Sequence, residues 1–267
     1  MMCRVYGVTR AGYYAWRQRP VSARSQDNAR LVQQIRRIHA ASRHTYGSPR
    51  ITRALRHAGQ PVGENRVARL MREQCIKARS ATLYRANPGH HAFFTSIPNR
   101  QLSTLAARPD QVWVGDITYL KVGQVWRYLA VVMDKCSRRI VGWKLGKNKD
   151  AKLTIGALNQ ATQRRRPAPG LIFHSDRGIE YAAHAFRDRL AQLGFVQSMN
   201  RPRTMTDNAH MESFFHSMKS ETIHGRKFNE PHEVLAAVRS YMPFYNHARI
   251  HSSLNYVPPA TYEKLLA

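Results

Sequence analysis

Residues 111–120, Gln111 to Leu120, read QVWVGDITYL, and their alternation decides the fold. Successive strand side chains point to opposite faces, so Val112, Val114, Asp116 and Thr118 share one face while Trp113, Ile117 and Tyr119 take the other. An acid in the middle of a mostly apolar strand is costly unless something is bound there. Two more strand patterns follow after short turns, VWRYLAVVMD (125–134) and RRIVGWKLG (138–146), which together predict an antiparallel meander.

Working downstream, residues 150–165 suit a helix starting at Asp150, GLIFHSD (170–176) a buried strand, and IEYAAHAFRDRLAQLG (179–194) one helix stopped by Gly194. FVQSMN (195–200) is a short strand, Asp207 is placed to cap the helix of NAHMESFFHSMKSETI, and EPHEVLAAVRSYMPFYNH (230–247) makes a last long helix. Three hairpin strands, then helix, strand, helix, strand and helix, is the element order of a ribonuclease H-like α/β domain with a mixed five-stranded sheet flanked by helices.

On this map Asp116 lies mid-way along the first strand, Asp176 ends the fourth, and Glu212 sits in the second turn of the helix after the fifth. In that fold the first and fourth strands are central neighbours, so the carboxylates are expected to converge. Like charges brought together raise one another's pKa, a penalty that divalent cations remove, and hard carboxylate oxygens suit two Mg²⁺ ions or Mn²⁺. Such ion pairs clamp the attacking and leaving oxygens of a phosphodiester displacement. On the Glu212 helix, Met211, Phe214, Phe215 and Met218 form an apolar stripe beside a polar one of Asn208, Glu212, His216 and Lys219, which puts Lys219 within reach of a DNA phosphate.

Upstream the chain is basic. Lys and Arg number 43 against 16 Asp and Glu in 267 residues, a formal net charge of +27. Such an excess points to a polyanion, with double-stranded DNA foremost. No acid lies between Asp27 and Glu64, nor between Glu73 and Asp110. Residues 27–41 carry Leu31, Ile35 and Ile38 at helical spacing. A second helix, bearing Arg50 and Arg53, is capped by Ser48 with Pro49 in its first turn and runs to about His57. NRVARLMREQ forms a third, with Val67, Leu70 and Met71 inward and Arg66, Arg69 and Arg72 outward. This is the layout of a helix-turn-helix unit, a small all-α domain over 27–77. It follows a helical segment, 1–26, and precedes a basic linker, 78–109, and the catalytic core, 110–267.

The remaining signals exclude alternatives. Cys3, Cys75 and Cys136 are odd in number and far apart, and His90–His91 has no cysteine pair at zinc spacing. GWKLGK (142–147) has three residues between its glycines where a phosphate loop needs four, and Asn148 stands in place of Ser or Thr. No apolar run approaches the roughly 18–20 residues of a membrane span, nor is there a signal-peptide core. A soluble intracellular protein is expected.

WVGDITYL, FHSDRGIEY and DNAHMESFFHSMKSE resemble the three catalytic blocks of DDE transposases and retroviral-type integrases. Thirty-five residues separate Asp176 from Glu212, with Lys219 seven beyond, as in that superfamily. More narrowly, RVYGVTRAGYYAWRQRP, YGSPRITRALRHAG, NRVARLMRE and YNHARIHSSLNYVPPATY resemble the second-frame product, OrfB, of the IS-three family of insertion-sequence transposases. The resemblance implies metal-dependent cleavage of 3′ ends and strand transfer, with Asp116, Asp176 and Glu212 as metal ligands and Lys219 as a DNA contact. Arg249, in the family's tail, is a further candidate phosphate contact. It also implies partners: insertion-sequence ends and target DNA, the first-frame OrfA protein or a fusion with it, and further copies of the chain on DNA. Glu180 departs from the family's usual glutamine before the tyrosine and is assigned to capping the next helix. A regulatory DNA-binding partner without activity alone, and an RNase H-like nuclease, remain open readings.

Overall fold

The computed structural model describes residues 7–79, 97–201 and 205–266, which form two compact units, Met1–Ala78 and Arg79–Ala267. Most of the expected basic linker, and the His90–His91 pair, lie outside the described residues. No helix among the described residues is long and apolar enough to cross a membrane.

The first unit is helical: α1 Arg10–Gln18, α2 Ala23–Ala41, α3 Ser48–His57 and α4 Glu64–Glu73. Helix α2 starts earlier than its apolar spacing suggests, because Ser22 caps it by accepting from the Ser25 amide. Ser48 is not the cap of α3. Gly47 holds that position, with Ser48 as the first helical residue and Pro49 behind it, where a missing N–H costs nothing. Leu31, Ile35, Ile51, Leu55, Val67, Leu70 and Met71 are buried together, so three amphipathic faces close on one another. Ile38 is only half-buried, and the neighbouring His39 takes the inward place.

His39 Nε2 lies 3.1 Å from the Lys77 carbonyl oxygen and its Nδ1 lies 3.1 Å from His44 Nδ1. Burial, then the His44 charge, lowers its pKa. A histidine held neutral by the fold contributes stability that is present above the ordinary pKa of about 6.5 and is lost as pH falls toward the depressed value. Acidification from neutrality is therefore expected to accelerate proteolysis within residues 27–77 more in the parent than in His39→Gln. Equal acceleration in both would remove His39 as the cause.

The second unit holds β1 Val112–Val122, β2 Val125–Asp134, β3 Ile140–Gly146, α5 Ala151–Arg165, β4 Ile172–Ser175, α6 Ile179–Ala182, α7 His184–Gln192, β5 Val196–Met199, α8 Ala209–Met218, α9 Pro231–His247 and α10 Pro259–Leu266. Strand order is β3-β2-β1-β4-β5, with β1 antiparallel to β2 and parallel to β4. This is the ribonuclease H-like order, and it puts β1 and β4 side by side at the sheet centre. One face, with Val114, Leu120, Val131 and Met133, packs on Met211, Phe214 and Met218 of α8 and Val238 and Tyr241 of α9. The other, with Trp113, Ala130, Val132 and Phe173, packs on Leu153, Ala157 and Leu158 of α5 and Phe186 and Leu190 of α7.

Two details differ from the sequence reading. The helix expected over 179–194 is two, because Ala183 is extended; Gln197 Nε2 donates to the Tyr181 carbonyl at 2.7 Å, and Tyr181 and Phe186 meet edge to face. Asp207 does not cap α8. Asn208 occupies that position, while the Asp207 carboxylate accepts from Arg201 and from Asn99 Nδ2. Helix α9 begins with a reciprocal capping box of Glu230 and Glu233.

Close approach of α5 to β3 depends on Gly142. A Cβ there would lie 2.3 Å from the Ala157 carbonyl oxygen and 2.8 Å from the Ala161 amide, backbone atoms that have no room to yield. Gly142→Ala is expected to destabilise the unit by about 1–3 kcal/mol. An unchanged urea midpoint would show that the helix shifts freely.

Candidate active site

The site is assembled by three elements. Asp116 is half-buried on β1, its Oδ1 accepting from the Ile117 amide at 2.7 Å. Asp176 directly follows β4, and its Oδ1 accepts from the Gly178 amide at 3.0 Å. Since β1 and β4 run parallel with Gly115 opposite Ser175, the next residue of each chain brings the two carboxylates together. Glu212 stands exposed in the first turn of α8. The apolar stripe Met211, Phe214, Phe215 and Met218 docks that helix, and Asn208 Nδ2 reaches the Gly115 carbonyl oxygen at 3.4 Å.

Burial raises the Asp116 pKa well above the usual carboxylate range, and the charges of Asp176 and then Glu212 push the same way. Asp116 therefore feels the charge of both other acids. Among the described residues the three are not gathered into a closed metal-binding set. Their donor chemistry nonetheless suits a hard divalent cation: carboxylate oxygens carrying surplus negative charge.

Glu180 adds to that surplus. It is not a helix cap, for Gly178 holds the cap position of α6. The side chain is 3% exposed, with Oε1 3.2 Å from Lys149 Nζ and Oε2 buried without a hydrogen-bond partner. A Cβ at Gly178 would fill the space between acids, lying 2.6 Å from Glu180 Oε2 and 3.0 Å from Asp176 Oδ1. Lys149 acts in the opposite sense, its charge lowering the Asp116 pKa. The buried Tyr181 hydroxyl is pushed up, by burial first and then by Asp116, Asp176 and Glu180. Neither Lys149 nor Tyr181 stands out in the sequence. Lys149 precedes a helix cap in an ordinary basic turn, and only the fold brings it to the acids.

Lys219 is half-buried, with Nζ 4.7 Å from the centre of the Tyr119 ring. Burial lowers its pKa, and the Asp116 charge opposes that. His174, on β4 two residues before Asp176, is buried. The parallel register pairs it with Val114, whose face is that of Asp116, and its role there is structural. Its Nδ1 is 2.9 Å from Ser198 Oγ and its Nε2 2.7 Å from Asn200 Oδ1, and burial pushes its pKa down to about 4.

The other DNA-contact candidates divide. Arg53 and Arg72 are exposed in the first unit. Arg50 is half-buried, its guanidinium 5.7 Å from the Tyr46 ring centre. Arg69 is exposed and paired with Glu73 at 2.7 Å. Arg66, expected to point outward, is half-buried and held by Asp27 at 2.5 Å and by Asn28. Arg249 is the clear correction. It is 3% exposed and its guanidinium is bound to Glu221, with a shortest N–O distance of 2.6 Å, so it has no surface to offer a phosphate.

Comparison with known proteins follows the same division. The integrase core domain family matches residues 106–205, a second integrase core family 193–259, and an HTH-like domain 26–82. The chain is 38% identical to the insertion element IS600 uncharacterized 31 kDa protein of Shigella sonnei, over 98% of this chain and 97% of that one. It is 36% identical to transposase InsF for insertion sequence IS3A of Escherichia coli K12, over 98% and 92%. Among solved structures it is similar to the HTLV-2 integrase catalytic core domain in complex with magnesium (17% identity, TM-score 0.48, 58% of this chain and 97% of that one). It is also similar to a simian T-cell lymphotropic virus intasome chain (16% identity, TM-score 0.49, 85% and 73%).

Proposed function

The chain belongs to the transposase family of the IS3 insertion sequences, and on that premise we propose that it cuts the 3′ ends of its own element and joins them to target DNA at a site made by Asp116, Asp176 and Glu212. The observation that supports this reading most is the parallel register of β1 and β4, which sets Asp116 beside Asp176, with Glu212 near enough for its charge to act on Asp116, in a chain with a net charge of +27. Bound there, two Mg²⁺ or Mn²⁺ ions would supply charge neutralisation at the attacking and leaving oxygens.

The chain's own residues do the rest. Asp116 and Asp176 hold the inner carboxylate pair and Glu212 completes it from α8, while Lys219 binds a non-bridging phosphate oxygen. In the first step water adds to phosphorus as the 3′ oxygen leaves and takes up a proton. In the second that 3′-hydroxyl attacks a target phosphodiester, loses its proton and displaces the target's own 3′ oxygen. The first step spends one phosphodiester by hydrolysis and the second makes one for the one it breaks, so no nucleotide hydrolysis is required. Positioning and fixed charge supply the rate.

The residues from 110 onward would carry this chemistry, and those of 27–77 would hold DNA through Arg53, Arg69 and Arg72. The complex would form in the bacterial cytoplasm, with further copies of the chain and with a first-frame OrfA protein or as a fusion to it. The test is incubation of the purified chain with labelled element-end DNA and Mg²⁺, with and without OrfA. Binding without cleavage or joining in either case would leave only a regulatory DNA-binding role.

A further inference from the structure

Beyond Asp116 the β1–β2 hairpin carries an aromatic pair that the core does not use. Tyr119 is 55% exposed and Trp126 47%. Their ring centres are 5.3 Å apart at 87°, an edge-to-face contact that leaves ring surface open to solvent. The register pairs Lys121 with Trp126, so Tyr119 and Trp126 are diagonal neighbours on one surface. Two cations stand beside them: Lys219 over the Tyr119 ring, and Lys121, exposed on β1 and paired with Trp126. Exposed rings beside cations are the elements by which proteins hold unpaired bases, because every base has a π-face to stack and a phosphate to neutralise.

Location fixes which base. Tyr119 is three residues from Asp116 along β1, about 10 Å or about three base-pair rises of duplex DNA, and its side chain leaves the strand on the other face from Asp116. Lys219 links the two places, since its ammonium meets the Tyr119 ring and lies near Asp116. Resting on the transposase reading above, we propose that Tyr119 and Trp126 form a stacking platform for an unpaired nucleobase of the element end, within a few nucleotides of the phosphate presented to the acids. The platform holds an opened end and so lowers the cost of unpairing the DNA where it is cut.

The experiment measures binding of the full chain, without divalent metal, to a labelled duplex with unpaired nucleotides at one end and to its fully paired counterpart. The parent is expected to prefer the unpaired end by about tenfold, as stacking of one base provides. Tyr119→Ala/Trp126→Ala is expected to lose that preference, and Trp126→Phe to keep most of it. With Mg²⁺, the double variant should cut a pre-opened end better than a paired one. Equal parental affinity for both ends, or a preference that survives in the double variant, overturns the platform. A preference present in a parent that never cuts would sink the transposition chemistry and leave the platform standing. Both side chains are exposed, and unchanged unfolding midpoints would confirm that the variants are folded.

Discussion

Asp176→Asn and Glu212→Gln are each expected to lower cleavage and joining of element-end DNA by on the order of a thousandfold or more, with DNA affinity nearly unchanged. Each substitution keeps the shape of the side chain and removes the charge that holds a divalent ion. Asp116→Asn should cost as much activity while making the protein more stable. The Asp116 pKa is raised by burial, by Asp176 and by Glu212, so its charged form is disfavoured in the folded state. The sign follows from linkage: a raised carboxyl contributes fully to stability below its ordinary pKa and loses that contribution as pH rises through the folded value. The gain from asparagine should accordingly be absent in acid and present at neutral pH, read as a higher unfolding midpoint. Cleavage that persists in all three variants would remove the acids from the chemistry.

Arg249→Met is expected to destabilise the second unit by about 3–5 kcal/mol, a fall in melting temperature of roughly 10 °C. Glu221 accepts from Arg249 Nε at 3.0 Å, from Nη2 at 2.6 Å and from the Tyr241 hydroxyl at 2.8 Å, all buried. Removing the guanidinium leaves a buried carboxylate with one neutral partner. The double variant Arg249→Met/Glu221→Leu should recover most of the loss, since an apolar pair carries no unmet charge. A normal melting temperature together with weakened DNA binding would restore the phosphate contact that the sequence suggested.

This case shows where sequence reading stops. The tail motif that contains Arg249 looks equally suited to a phosphate or to a helix end, because an arginine's neighbours in sequence do not reveal its partner. Glu221 is 28 residues away, in the turn after α8, and only the packing of α9 against that turn closes the pair. His174 shows the same limit, since only the pairing of β4 with β1 tells that its face is the one Asp116 lies on. Alternation is a local rule, while the shared face of β1 and β4 is set by their register.

What the sequence determined by itself is what short-range physics encodes. The period-two pattern of 111–120 and the helical spacing of Met211, Phe214, Phe215 and Met218 sufficed for the ribonuclease H-like order, and that order put Asp116, Asp176 and Glu212 forward as candidates. Tertiary structure alone decided which charges are neutralised and which surfaces stay open. It buried Glu180 beside Asp176 with Lys149 as its counter-ion, broke the helix at Ala183, and left Tyr119 and Trp126 uncovered next to Lys219. Charge pairing and exposure depend on contacts between residues far apart in the chain, and no local period records them.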